Sequence, residues 1–121
     1  MTPIDALRVR PAAVAGAFYP AGPVDLLDAI QRAFAGAVVP GADAPVPKAL
    51  VVPHAGYPYS GPVAASAYLR LVPARASIRR VVLVGPSHRV PVRGVAVSSA
   101  DAFATPLGLV RVDVAARDAA L

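Results

Sequence analysis

The chain has 121 residues, of which 56% are hydrophobic and 16% are charged, and its formal net charge is +5. This composition excludes a disordered tail, and the frequent prolines and glycines leave no apolar run of the roughly 18 residues that a membrane helix needs. The basic residues are scattered, with the single adjacent pair Arg79-Arg80, and no aromatic ladder accompanies them, which argues against a nucleic-acid partner. There are no cysteines, so thiolate ligands and disulfides are excluded within these residues. We expect a cytoplasmic protein without a membrane partner.

The first third of the chain predicts one helix. Residues 1–21 are expected to be irregular, because prolines interrupt them. The segment GPVDLLDAIQRAFAGA (22–37) predicts a helix, since Pro23 suits a first turn and Gly36 is a plausible stop. Its buried face is predicted from the residues at helical spacing, which are Val24, Leu27, Ile30 and Phe34.

Two short apolar runs, KALVV (48–52) and RRVVLVG (79–85), predict buried strands. Their continuous apolar character is typical of strands covered on both faces, as in a parallel sheet. The segment SGPVAASAYLRL (60–71) between them predicts a helix with Ser60 or Gly61 as its cap, Pro62 in its first turn and a face of Val63, Ala67 and Leu71. The resulting strand–helix–strand unit is expected to have a right-handed crossover.

The last third predicts two more strands, RGVAVSS (93–99) and GLVRVD (108–113). Asp113 is then predicted to cap a helix that starts in VAARDAAL. The pattern as a whole predicts an α/β fold with a mainly parallel sheet flanked by helices.

A histidine follows each of the two predicted parallel strands. His54 lies in PHAGYPYSG (53–61), and His88 ends GPSH (85–88). Open α/β sheets bind ligands outside the carboxyl ends of their strands, and neighbouring strands lie about 5 Å apart. If the two strands are adjacent, both imidazoles can converge on one point.

Two imidazoles suit iron, copper or zinc, although a working metal site normally has a third donor. The nearest acids by sequence, Asp101 and Asp113, do not sit at matching strand ends. The alternative is that each histidine only forms hydrogen bonds within its loop. A serine hydrolase is disfavoured, because Ser87 adjoins His88 on an extended backbone and the G-x-S-x-G elbow is absent. Tyr57 and Tyr59 flank His54 and are candidates for the wall of a pocket or for donors to a bound anion, or else are packing residues.

Four stretches occur in a specific order: RPAAVAGAFYP, VVPHAGYPYSGPVAASAY, VVLVGPSH, and FATPLG followed by VD. They run from about Arg10 to Asp113 and resemble the Memo family, whose bacterial and archaeal members are called AmmeMemoRadiSam system protein B. The combination of PHAGYPYSG with GPSH is the specific part of this resemblance. It implies a fold similar to the catalytic subunit of class III extradiol ring-cleaving dioxygenases.

Carried over by position, the resemblance implies that His54 and His88 are ligands of iron or copper. It implies a possible metal-dependent redox or dioxygenase-like activity. Some members of the family are discussed instead as phosphopeptide-binding adaptors, so a non-catalytic protein that binds a peptide or small molecule in the same cleft is the alternative. The bacterial name implies pathway partners of the radical-SAM and AMMECR types.

Members of this family are more than twice as long as this chain. We therefore expect residues 1–121 to form the N-terminal portion of a single Memo-like α/β domain, apparently truncated, with the third metal donor outside the chain. A parallel sheet that is cut midway exposes a strand edge and apolar surface, so aggregation or partial folding of the isolated chain is expected.

Overall fold

The structure is a computed structural model that describes residues 6–121, and these divide into two compact units. One unit comprises residues 14–81, and the other comprises residues 6–13 together with 82–121. Three α-helices and three strands lie within the described residues, which confirms the α/β class. None of the helices in residues 6–121 has the length and hydropathy needed to cross a bilayer. The assignment of the whole chain to one domain stays a prediction.

Helix α1 spans Pro23–Ala35, inside the segment predicted for it. Pro23 occupies the start of the helix, where its missing N–H has no intrahelical partner to lose. The helix ends at Gly36, whose N–H donates to the carbonyl of Arg32 at 3.1 Å. The prediction of this helix and of its stop is confirmed.

The buried face of α1 lies to one side of the predicted face. Leu26 is 4% exposed, whereas Val24 is 71% exposed and Leu27 is 45% exposed. The reason is the direction from which the second helix packs. A side-chain carbon built at Gly61 of that helix would lie 3.5 Å from Cβ of Ala33, and Ala33 shares the face of Leu26 because seven residues make about two helical turns.

Helix α2 spans Tyr57–Leu69 and begins three residues before its predicted start. Gly56 is the N-cap, so the predicted caps Ser60 and Gly61 lie inside the helix, and Pro62 is also internal. The chain turns earlier than expected because the carbonyl of Gly56 already accepts from the N–H of Ser60 at 3.0 Å.

The face of α2 also differs from the prediction. Ala65 is buried, whereas Val63, predicted on the buried side, is exposed. The hydroxyl of Ser66 donates to the carbonyl of Pro62 at 2.9 Å and accepts from the N–H of Val38 at 2.9 Å. This serine therefore ties the segment after α1 to the surface of α2. A short 3₁₀ turn follows at Val72–Ala74.

The second unit contains a mixed three-stranded sheet in the order β1-β2-β3. Strand β1 (Val9–Arg10) runs parallel to β2 (Ala102–Thr105), and β2 runs antiparallel to β3 (Gly108–Arg111). Gly108 closes the β2–β3 hairpin with φ +123°, a conformation that favours glycine. Ala102 is fully buried at the centre of the sheet.

An ion pair fixes the register between β1 and β2. The guanidinium of Arg8 donates to both carboxylate oxygens of Asp101, at 3.1 and 2.9 Å, and the backbone N–H of Arg8 donates to the same carboxylate at 3.0 Å. The N–H of Asp101 returns a bond to the carbonyl of Arg8 at 2.8 Å. Such paired, charge-assisted bonds hold two segments that are 93 residues apart in sequence.

Helix α3 spans Val114–Asp118, and the carboxylate of Asp113 accepts from the N–H of Ala116 at 3.0 Å. The predicted capping role of Asp113 is confirmed. Arg117 ties the helix to the segment before β2, because its guanidinium donates to the carbonyls of Ser98 and Ala100 at 3.3 and 3.1 Å.

The predicted parallel strands are not formed. Neither 48–52 nor 79–85 adopts strand structure, nor does 93–99, and the sheet that exists is mixed rather than mainly parallel. Most apolar side chains of the first two runs are exposed, with Val51 99% exposed, although Leu50 and Val52 are half-buried. Strands form only when a neighbour accepts their backbone hydrogen bonds, and the part of the chain that the structure describes supplies none to these runs. The strand–helix–strand prediction is therefore wrong for this chain.

Candidate functional site

The buried hydroxyl of Ser60 holds the loop that carries His54. Ser60 is 5% exposed, and its Oγ donates to the carbonyl of Ala55 at 2.7 Å and lies 3.2 Å from the carbonyl oxygen of Gly56. These two carbonyls belong to the residues that directly follow His54. The first turn of α2 thus holds the backbone next to the imidazole in one conformation.

A backbone hydrogen bond also holds the same loop. The N–H of Tyr57 donates to the carbonyl of Phe18 at 2.8 Å. A side-chain carbon at Gly56 would come within 3.3 Å of that same carbonyl oxygen, so any larger residue there would force the carbonyl to shift by a few tenths of an ångström. The rings of Tyr19 and Tyr57 then pack with their centroids 5.8 Å apart and their planes tilted by 45°.

His54 lines a pocket of about 430 Å³ that is formed within residues 30–68. His54 itself is exposed at this pocket, and Tyr57 is half-buried. The walls are mostly apolar and carry a few polar groups, which is the character of a small-molecule or side-chain binding cavity. The apolar lining includes Ile30, Phe34, Val52, Ala64 and Ala65, and the polar lining comprises His54, Tyr57, Ser60 and Tyr68.

The Tyr57 phenol stays protonated over a wide pH range. Burial raises its pKa above the ordinary value of 10.0, and the neighbouring Tyr19 and Tyr68 raise it further. A neutral phenol can donate a hydrogen bond to an anionic group or accept one from a donor. The pocket therefore offers an imidazole and hydrogen-bonding phenols on an apolar surface.

A second pocket of about 550 Å³ also has Tyr57 in its lining. Its lining combines apolar residues with the side chains of Tyr19 and Arg32. Arg32 stands in the last turn of α1, where a cation also interacts favourably with the helix dipole. Tyr57 is shared between the two pockets.

His88 belongs to the other compact unit and lies in an exposed turn. The turn is closed locally, because Oγ of Ser87 donates to the carbonyl of Val90 at 2.6 Å. The hydroxyls of Ser87 and Ser60 therefore both donate to backbone carbonyls. This arrangement gives no support to a serine nucleophile.

The two histidines are ligands of the type that transition metals bind, but two ligands are too few for a complete metal site. Imidazole nitrogens are good ligands of iron and copper. Among the residues described, no three histidine, cysteine or carboxylate side chains come together in a group that could hold a metal ion. Each histidine can supply one imidazole donor, and a complete metal site needs further ligands.

Sequence reasoning missed three residues that shape this site. Ser60 was interpreted as a helix cap, although it anchors the loop from inside the helix. Tyr19 was not singled out, and Tyr68 was placed only beside the predicted face of the second helix, yet both adjoin Tyr57 or its pocket. Tyr19 lies in the AFYP end of the first motif stretch, and this was the one available signal for it.

Comparison with known proteins places these motifs in a family. The profile of the Memo-like protein family matches residues 10–120. The chain belongs to the Memo family. It is 44% identical over 114 residues to a MEMO1 family protein of Ignicoccus hospitalis, covering 88% of this chain and 40% of that relative. A MEMO1 family protein of Aquifex aeolicus is 40% identical over 108 residues, covering 88% of this chain and 38% of the relative.

The mammalian relatives match a shorter stretch of this Memo chain. Human Protein MEMO1 is 46% identical over 66 residues, which cover 54% of this chain and 22% of that protein. The chain thus spans about 40% of the length of the Ignicoccus relative. More than half of that relative's length lies outside the match.

Proposed function

We propose that this chain is the metal-binding part of a Memo-family protein, in which His54 and His88 donate imidazole nitrogens to iron or copper. Family membership over residues 10–120, together with a histidine in each of the two motifs PHAGYPYSG and GPSH, carries the proposal. A third donor comes from polypeptide outside this chain. The proposed activity of the complete protein is metal-dependent oxidation–reduction, of which a dioxygenase-like reaction is one form.

The residues around His54 have defined roles in this proposal. Ser60 holds the backbone after His54, so the imidazole loses little conformational freedom when it binds the metal. Tyr57 stays neutral and offers its hydroxyl to a ligand in the pocket. The bound metal would supply an open coordination position and a change of oxidation state. Pathway proteins of the radical-SAM and AMMECR types are the proposed partners.

The first test is anaerobic titration with iron(II) and copper(I) of the longest form of the protein that the gene encodes, so that the third donor can be present. We expect the wild type to bind one equivalent, and His54→Ala and His88→Ala each to raise the dissociation constant at least about tenfold. Tyr59→Phe is the matched control, because Tyr59 lies in the same motif but is exposed and lines neither pocket. Binding that survives both histidine substitutions, or no binding by the wild type, would refute the metal proposal.

A second candidate function is peptide binding without turnover, and the His54 pocket favours it. That pocket is formed entirely by residues 30–68, so a peptide site there does not involve His88. A labelled phosphorylated peptide and its unphosphorylated copy are suitable probes. If Tyr68→Ala weakens peptide binding while His88→Ala leaves it unchanged, the pocket is a binding module. If His88→Ala abolishes a metal-dependent activity, the redox function stands.

A further inference from the structure

The pocket of about 550 Å³ contains a cation and phenols that the proposed metal chemistry does not use. All its lining residues belong to the compact unit of residues 14–81. Its volume lies in the range of small-molecule sites. Most of its wall is apolar, and the polar side chains among the described lining residues are those of Tyr19, Arg32 and Tyr57. This combination is typical of a site that holds one charged group of a largely apolar ligand.

The turn before α1 gives this pocket a wall that is held by its own hydrogen bonds. The N–H of Gly16 donates to the carbonyl of Tyr19 at 2.7 Å. The N–H of Phe18 donates to the carbonyl of Val14 at 2.9 Å. The carbonyl of Phe18 accepts from the N–H of Tyr57 at 2.8 Å, which attaches the turn to α2. Because this wall is formed before a ligand arrives, little conformational entropy is lost when the ligand binds.

Helix α1 supplies the charged part of the wall. Ala29, Arg32 and Ala33 line the pocket, and their spacing of three and four residues places them on one face of the helix. Within residues 6–121, no carboxylate forms an ion pair with the guanidinium of Arg32. This guanidinium can therefore bind a ligand without first giving up an ion pair in that part of the chain.

The charges of the lining favour an anion with a single charge. None of the described lining residues carries a carboxylate, so the ammonium group of an amine or an amino acid would lose water without gaining a partner. Arg32 stands in the last turn of α1, where the negative end of the helix dipole offsets part of its charge. A dianionic phosphate is therefore poorly balanced here. A carboxylate accepts two parallel bonds from one guanidinium, and phenols can donate to its remaining lone pairs.

We propose that this pocket binds a small organic monocarboxylate, with Arg32 holding the carboxylate, Tyr19 and Tyr57 donating to it, and the apolar body of the ligand lying against Phe18 and the neighbouring prolines. The proposal does not depend on metal binding. Because Tyr57 lines both pockets, a bound carboxylate also restrains a residue of the His54 pocket.

The test is titration of the longest form of the protein that the gene encodes with 3-phenylpropanoate, followed by amide NMR shifts. We expect a dissociation constant of about 1 mM, with the largest shifts at the amides of residues 16–19. Arg32→Gln should raise the dissociation constant at least about tenfold, because the charge-assisted bonds are lost. Tyr19→Phe should raise it about threefold. Arg75→Gln is the matched control, because Arg75 is exposed, lies in the same compact unit and lines neither pocket.

Three analogues of the probe test the charge of the ligand. The alcohol 3-phenylpropan-1-ol is neutral, phenylalanine adds an ammonium group, and 2-phenylethyl phosphate carries a second negative charge. We expect each of them to bind at least about fivefold more weakly than 3-phenylpropanoate. If any of them binds as tightly as 3-phenylpropanoate, the ligand class is wrong.

The variants separate this pocket from other surfaces. Equal dissociation constants for the wild type and Arg32→Gln, or equal losses for Arg32→Gln and Arg75→Gln, would show that Arg32 does not hold the carboxylate. Tyr68 lines the His54 pocket but not this one. A larger loss for Tyr68→Ala than for Arg32→Gln would therefore place the ligand in the His54 pocket. Absence of saturable binding by the wild type would overturn the proposal altogether.

Discussion

Replacing Ser60 by alanine tests whether one hydroxyl fixes the loop that carries His54. The Oγ of Ser60 donates to the carbonyl of Ala55 at 2.7 Å, and Ser60 is 5% exposed. When the hydroxyl is removed, the carbonyl of Gly56 still accepts hydrogen bonds from the N–H groups of Tyr59 and Ser60, both at 3.0 Å. The carbonyl of Ala55 loses the hydroxyl. We therefore expect a loss of about 1–2 kcal/mol in the free energy of unfolding, one hydrogen bond plus part of a desolvation cost.

Urea unfolding monitored by circular dichroism measures this loss. Ser77→Ala is the control, because Oγ of Ser77 also bonds a backbone carbonyl, that of Ala74 at 2.9 Å, but in an exposed position. Water replaces that bond, so the control should change stability by less than about 0.5 kcal/mol. Equal losses for Ser60→Ala and Ser77→Ala would refute the reasoning that burial makes Ser60 an anchor.

Three further expectations follow from burial and charge. Leu26→Ala should cost about 2–5 kcal/mol in urea unfolding, because Leu26 is 4% exposed, whereas Leu27→Ala should cost far less; equal costs would contradict the packing of α1. Hydrogen bonds and charge from Arg8 lower the pKa of Asp101 from 3.8 to about 2. The wild type should therefore be more stable than Asp101→Asn above pH 3.8, and this advantage should disappear as the pH falls through about 2. An advantage that persists below that pH would exclude the ion pair as its source. Burial raises the pKa of Tyr57 above 10.0, so as the pH rises the phenol loses its proton in the unfolded chain before it does so in the folded chain. The free energy of unfolding of the wild type should therefore fall relative to that of Tyr57→Phe as the pH rises beyond 10.0. Parallel pH profiles of the two proteins would refute this.

The helices were predictable because their ends carry local signals. Proline at the start and glycine at the end bound α1, and the carboxylate of Asp113 caps α3. These signals act within a few residues, so no tertiary information is needed to interpret them. The start of α2 was misjudged because PYSGP contains two prolines, and only the earlier one, Pro58, lies in the first turn.

Within the sheet, local patterns predicted β3, because the predicted strand 108–113 contains Gly108–Arg111, but they did not predict β1, β2 or the pairing of the strands. Strand β1 has two residues, and its pairing of Val9 with Ala102 joins segments far apart in sequence. What fixes that pairing is the bidentate contact of Arg8 with Asp101, and nothing in the local sequence of either residue indicates the other. Conversely, the runs 48–52 and 79–85 have the composition of buried strands, but composition predicts a tendency to be buried and not the presence of a neighbour.

The exposed runs and the histidines are physically connected. His54 follows Val51 by three residues, and His88 follows Val84 by four. A strand that is paired and covered loses backbone freedom up to its last residue, so any partner that buries these runs also restricts the loops that begin there. The hydroxyl of Ser60 already restrains the His54 loop, whereas the turn of His88 contains only the local hydrogen bond from Ser87 to the carbonyl of Val90 among the bonds described above. Covering the run Val81 to Val84 should therefore order the backbone at His88 more than covering 48–52 orders the backbone at His54.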